Sequence, residues 1–174
     1  MEDFMEFIDS IQLNPTEFTN EVVLDWYIDN SVCIQLSSIP NVQTRFCNKY
    51  LQEEEEYESA KRWPFMLMND VIVKITDYKK DKEYCFKLNK EYCYDGATIP
   101  RLFWRLIGAP SDPRFIIGAL LHDVLCQHKE YVDRDRALST TILVDCCECT
   151  GTSSITRFLM YWSVEIYQAI VGKW

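Results

Sequence analysis

The run Arg114 to Gln127 limits what this chain can fold into more than any other segment. It reads RFIIGALLHDVLCQ, and Phe115, Ile116, Ile117, Ala119, Leu120, Leu121, Val124 and Leu125 leave a helix of this sequence without a polar side. A helix apolar all round belongs inside a core. His122 and Asp123 nevertheless sit in its middle. A titratable pair withdrawn from water has to be met by hydrogen bonds, an opposite charge or a metal.

The segments on either side can be read in order. Phe4, Met5, Ile8 and Ile11 recur at near-helical spacing until Asn14-Pro15, where proline disfavours helical geometry in the residue before it. Thr16 then caps a predicted second helix to about Asp29, with Phe18, Val22, Val23, Trp26 and Tyr27 as its apolar positions. Val32 to Leu36 reads as a short strand or buried connector, and Glu53 to Glu56 as the solvated part of a helix or loop. Residues 1–64 are thus expected to be a mainly helical extension, ending at Trp63-Pro64, and residues 65–174 the main domain. There the β-branched run Met66 to Thr76, the segment Glu83 to Leu88 and the short piece Glu91 to Tyr94 predict a small antiparallel sheet. Asp95-Gly96 is a tight-turn dipeptide, and Thr98 caps a predicted short helix through Ile107 that tolerates Pro100 in its first turn. Asp112 is an expected N-cap for the apolar helix. A further helix spans Asp135 to Glu148 with Ala137, Leu138, Ile142, Leu143 and Cys146 inward, and Gly151 stops it. The last helix carries Ile155, Leu159, Trp162, Ile166 and Ile170 on one face, read as packing. The expected fold class is α+β, a small antiparallel sheet followed by a helical C-terminal bundle.

Composition narrows the function classes. A formal charge of −9 speaks against bulk nucleic-acid binding, which depends on Lys and Arg neutralising phosphates. Arg101, Arg105 and Arg114 lie close in sequence but read as solvated or ion-paired. No secretory signal is legible in MEDFMEFIDSIQLNP, and no stretch is apolar enough for a transmembrane segment. A soluble protein is therefore expected. The eight cysteines are scattered and read as reduced thiols, although Cys85 and Cys93 could face each other across a hairpin. Cys146, Cys147 and Cys149 contain one CxxC without a second or a nearby histidine, too little for zinc.

Asp95, His122 and Asp123 are the candidate catalytic residues. His122, Asp123 and Asp135 are the candidate ligands of one divalent metal ion, which would activate water with a carboxylate as base. The alternative is a structural network, in which His122 bonds a carbonyl or Asp95 and Asp123 pairs with Arg101 or caps a helix end. Adjacent helical residues point about 100° apart, so His122 and Asp123 need not act together. With only His122 and His128 in the chain, the further histidines of phosphohydrolases named for their His-Asp pair are missing. GxSxG, Walker and HExxH motifs are absent as well. Cys126 lies one turn from His122, which makes a Cys–His nucleophile geometrically conceivable.

The motifs DGATIPRLFWRLIG, DPRF with ALLHDVL, and Asp135-Arg136-Ala137-Leu138 resemble the domain-of-unknown-function family 1353, over roughly residues 66–174. Asp95, Ala97, Thr98, Ile99, Pro100, Arg101, His122, Asp123, Leu125 and Asp135 carry the resemblance, with Gly96, Thr98, Pro100 and Arg101 as its structural motif. Two positions depart from it: Cys126 stands where the family has Tyr, and Tyr94 where it often has Thr. The family occurs mainly in phages, prophages and other viral or mobile-element settings. The resemblance thus implies a viral protein of the virion or the host cytoplasm, a virion component or assembly factor whose partners are other viral structural proteins. The acidic extension and abundant aromatic residues suit such docking. The alternative is a small metal-dependent hydrolase-like enzyme using Asp95, His122, Asp123 and Asp135.

Overall fold

The computed structural model describes residues 11–13, 22–28, 31–96, 107–109, 111–133 and 135–171. The chain divides into two compact units, Met1–Cys93 and Tyr94–Trp174. Among the described residues the fold is α+β.

The first unit is built on a five-stranded antiparallel sheet in the order β1-β7-β6-β3-β2. Its strands are β1 (Ile11–Leu13), β2 (Leu24–Ile28), β3 (Val32–Leu36), β6 (Val71–Asp77) and β7 (Lys82–Leu88). β6 and β7 form the hairpin expected from their β-branched and alternating residues. Val71, Val73 and Ile75 lie opposite Leu88, Phe86 and Tyr84, and all six are buried. Ile34 and Leu36 of β3 extend that face beside Ile75 and Val73. The other face is polar, with Lys74 2.9 Å from Glu83. This split follows from the two-residue period of a strand. The hairpin turns where Asp77 Oδ1 accepts from the backbone N–H groups of Lys79 and Lys80 at 3.0 and 3.2 Å.

A second sheet has the order β4-β5-β8, from Val42–Thr44, Phe65–Leu67 and Cys93–Tyr94. Helix α1, Glu54–Arg62, holds the acidic run in its first turn and Lys61 and Arg62 in its last, an order that suits the helix dipole.

The mainly helical N-terminal extension is corrected. Leu24–Ile28 lies inside the helix expected from Thr16 to Asp29, yet it pairs along its length with Val32–Leu36. Ile11–Leu13 pairs with Leu88–Phe86 instead of closing a helix. Trp26 and Tyr27 are good strand formers once a neighbouring edge is offered, and tertiary pairing overrides weak helical spacing. The sheet therefore draws strands from both sides of Trp63-Pro64. The rest of the two expected N-terminal helices lies outside the described residues.

The second unit contains α2 (Ile116–Gln127), a 3₁₀ turn at Lys129–Val132, α3 (Arg136–Cys149) and α4 (Ser154–Val171). α2 is buried along its centre from Gly118 to Leu125. Asp112 does not cap it. Its Oδ1 instead accepts from the Arg114 backbone N–H at 3.0 Å, and its carboxylate holds the Arg114 guanidinium at 2.6 Å. On α3, Leu138, Ile142, Leu143 and Cys146 are buried as expected, while Ala137 is exposed. α4 is turned relative to the expectation. Met160, Val164 and Gln168 face the interior, whereas Ile155, Trp162, Ile166 and Ile170 are exposed. Arg136 and Thr140 of α3 fix that rotation by bonding Glu165 at 2.7 and 3.0 Å.

α2 and α3 approach closely at Gly118, where an added Cβ would stand 2.8 Å from the Leu143 carbonyl oxygen and 3.1 Å from Cys146 Cβ. Backbone cannot yield as a side-chain tip can. Gly118→Ala is therefore expected to destabilise the fold by about 1–3 kcal/mol, despite its gain of up to about 1 kcal/mol in helix propensity. Urea unfolding of the two proteins checks this.

Candidate functional site

The site begins at the Asp95-Gly96 turn. Gly96 has φ +80°, a backbone conformation open to glycine at little cost. Its N–H donates to Asp123 Oδ2 at 2.8 Å, and the Asp95 backbone N–H also serves the Asp123 carboxylate. The turn thus brings two backbone donors and one carboxyl group onto the centre of α2.

Asp123 is 4% exposed and His122 8%. His122 Nδ1 lies 3.3 Å from Asp123 Oδ1, so the adjacent residues meet although their Cα–Cβ directions diverge. The Asp95 side chain is hydrogen-bonded to that of Asp123. Two carboxyl groups this close share a proton, because both cannot ionise freely. Desolvation first, then the Asp123 charge, pushes Asp95 up to about 8. Desolvation also pushes Asp123 up to about 7, against the hydrogen bonds from Asp95 and Gly96, which favour its ionised form. Near neutral pH the two carboxyl groups therefore hold one proton and one negative charge between them. Asp95 is exposed as a residue, while its carboxyl group is withdrawn against that of Asp123.

Beyond the imidazole, Cys126 Sγ lies 3.5 Å from His122 Nε2 and Gln168 Nε2 lies 3.3 Å from the same nitrogen. Tyr94 is buried on the carboxylate side, its phenol held neutral by burial and by the charge of Asp123.

Of the expected residues, Asp95, His122 and Asp123 come together. Asp135 is the N-cap of α3, where its Oδ1 accepts from the Leu138 N–H at 3.1 Å. Gly96 of the structural motif is at the site, while Thr98, Pro100 and Arg101, with the short helix expected from Thr98, lie outside the described residues. Among the described residues, no three His, Cys, Asp or Glu side chains are grouped to hold a metal ion. His128 ends α2, with Nδ1 3.9 Å from Glu130. Gln168, 46 positions from His122, escaped the sequence reading. A polar residue on the Met160–Val164 ridge of an otherwise apolar α4 face was its only signal. All eight cysteines are free thiols.

Together the fold and this cluster define a small α+β protein in which a glycine turn delivers paired carboxyl groups to a histidine on a buried helix. The chain belongs to the DUF1353 family, described as proteins of unknown function, whose profile matches residues 71–164. It is also similar to an uncharacterised protein, y4jT, of Sinorhizobium fredii, with 29% identity over 73 residues. That match covers 42% of this chain and 21% of the relative, so the chain spans about a fifth of that protein's length. No solved structure matches significantly. Among the described residues no helix is long and apolar enough to cross a membrane.

The carboxyl pair has a consequence for stability. Both folded-state values lie above the ordinary 3.8, so between about pH 4 and 8 the folded protein binds more protons than the unfolded chain. The pair's contribution is fully present below that window and is lost as pH rises through 7 to 8. Asp95→Asn removes the like charge. It is expected to raise Tm at about pH 8 by a few degrees and to flatten the decline from about pH 5. Thermal unfolding followed by circular dichroism over that range checks it.

Proposed function

We propose that this protein is a small hydrolase-like enzyme whose proton chemistry runs through Asp95, Asp123 and His122. The observation that carries the reading is the convergence of the Asp95 carboxyl group, the Gly96 N–H and the His122 ring on the one buried carboxyl group of Asp123. An ionised Asp123 that accepts from Nδ1–H fixes the imidazole tautomer, which leaves Nε2 as the base. Nε2 then takes a proton from an attacking group and returns it to the leaving group. Asp95 keeps the charge count at the pair constant while this happens.

A divalent ion belongs to the same reading as its metal-assisted form, held by the Asp95 and Asp123 carboxyl groups in place of the shared proton. Elemental analysis after dialysis against mixed divalent ions separates the two forms. The ion-free form predicts substoichiometric metal, whereas stoichiometric metal lost in Asp95→Asn would replace it with the metal-assisted one. A panel of chromogenic esters, amides and phosphoesters tests the activity itself. His122→Asn is expected to lower kcat/KM on any substrate by about 10²–10⁴-fold. Full activity in a folded His122→Asn protein would end the reading.

A second reading is favoured by α4. Ile155, Phe158, Trp162, Ile166 and Ile170 are exposed along it at spacings of three and four residues, an apolar stripe of the kind that marks a docking face. On this reading the protein is a virion component or assembly factor of a phage or other double-stranded DNA virus, in the virion or host cytoplasm, and the partner is another viral structural protein. Trp162→Glu is expected to abolish co-purification with virus particles while leaving the circular dichroism spectrum unchanged. Unchanged co-purification would remove the stripe from consideration.

A further inference from the structure

α4 directs its charges at α3. Arg157 is bonded to Glu148, and Glu165 to Arg136 and Thr140. What the helix turns to water is uncharged: Ile155, Phe158, Tyr161, Trp162, Ile166 and Ile170, with Ser154 and Ala169 as the other exposed positions among its described residues. In a chain with 26% charged residues and a net charge of −9, a solvent-facing helix without a charge stands out.

The six large residues are between 38% and 79% exposed, which leaves roughly 700 Å² of aliphatic and aromatic surface in water. The largest apolar patch on a monomeric protein is commonly about 300–600 Å², and each side of a specific interface contributes about 800 Å². The stripe thus exceeds what a monomer ordinarily leaves open and approaches what a stable pairing covers. Two rings stand edge-on to Trp162, Phe158 at 6.3 Å and Tyr161 at 5.7 Å between centroids. An aromatic side chain held in place by its neighbours is the usual anchor at the centre of an interface.

The order of residues along the stripe says which partner fits it. Phe158 and Ile166 stand four positions to either side of Trp162, and Ile155 and Ile170 stand seven and eight. A two-fold axis at Trp162 therefore lays the stripe on a copy of itself. Trp162 of one copy meets Trp162 of the other, Phe158 meets Ile166, and Ile155 meets Ile170. That is the self-complementarity an isologous contact requires. The uncharged surface also lets two chains of net charge −9 meet without opposing like charges at the contact. We propose that α4 is the interface of an antiparallel homodimer, with a second copy of this chain laid along the stripe. Such a dimer is independent of the acid–base site, and it gives the stripe an occupant other than a different viral protein.

Sedimentation velocity on the full chain at about 50 μM is expected to give twice the 20.6 kDa of one copy, with a return to monomer on dilution below about 1 μM. Trp162→Glu, at a half-exposed position, should weaken the pairing by about 30-fold or more while leaving the circular dichroism spectrum unchanged. Phe158→Lys and Ile166→Glu should each weaken it, whereas the double variant should recover the dimer, because position 158 of one copy faces position 166 of the other with opposite charge. Within one helix these positions are about 12 Å apart along the axis, too far to pair with each other. A wild-type monomer at about 50 μM overturns the proposal, and if Trp162→Glu still abolishes co-purification with virus particles, the docking of a viral protein on the stripe stands in its place. A dimer untouched by Trp162→Glu puts the interface on another surface and overturns it as well. So does a dimer lost in both single variants and not recovered in the double one, since the copies then do not run antiparallel about Trp162.

Discussion

The carboxylate of Asp123 is buried at the centre of an apolar helix, and the arrangement of the second unit around α2 answers that fact. Leaving such a group unmatched would cost several kcal/mol. The chain meets it with two backbone N–H groups from the Asp95-Gly96 turn, the Asp95 carboxyl group with which it shares a proton, and the His122 ring, whose Nδ1 lies 3.3 Å away. Each donor places a further demand on the structure. The turn needs a positive φ at Gly96, and the imidazole needs a neighbour at Nε2, which Gln168 provides from α4. A residue far along the chain is thus held in place by a charge on α2.

The helices meet those demands through close packing. Gly118 lets α3 approach α2 to backbone contact. The bonds from Arg136 and Thr140 to Glu165 set the rotation of α4. That rotation brings Gln168 inward and leaves Trp162 and Ile166 outside. One helix therefore carries a buried amide beside His122 and an apolar stripe on the surface, on opposite faces. The first unit solves a simpler problem. Its sheet buries every second residue of β6 and β7, and its polar face is laced by exposed ion pairs that contribute little to stability.

How far the site was legible in the sequence depended on what kind of signal each residue gave. His122 and Asp123 stood out because charge inside an apolar helix is costly, and Asp95-Gly96 because the pair is a turn dipeptide. Asp135 was equally conspicuous, yet its helix-opening position signals a cap, and a cap is what it is. Gln168 gave almost no signal, being an uncharged residue on a helix whose inward face composition cannot identify. The rotation of α4 was misread for the same reason. Aliphatic and aromatic residues occur on more than one side of it, so apolar spacing alone does not say which side meets α3.

The sequence by itself determined the period-two hairpin of β6 and β7, the burial of α2, the turn before it and the need for Asp123 to find donors. These follow from local geometry and from the cost of burying charge, and neither depends on distant contacts. The tertiary structure decided what long-range pairing decides. Leu24–Ile28 became a strand because Val32–Leu36 offered it an edge, although its apolar spacing suited a helix. It also decided that His122 faces both Asp123 and Cys126, and that an amide 46 positions away joins them. Partners that distant are chosen by packing, and no local pattern in the chain encodes them.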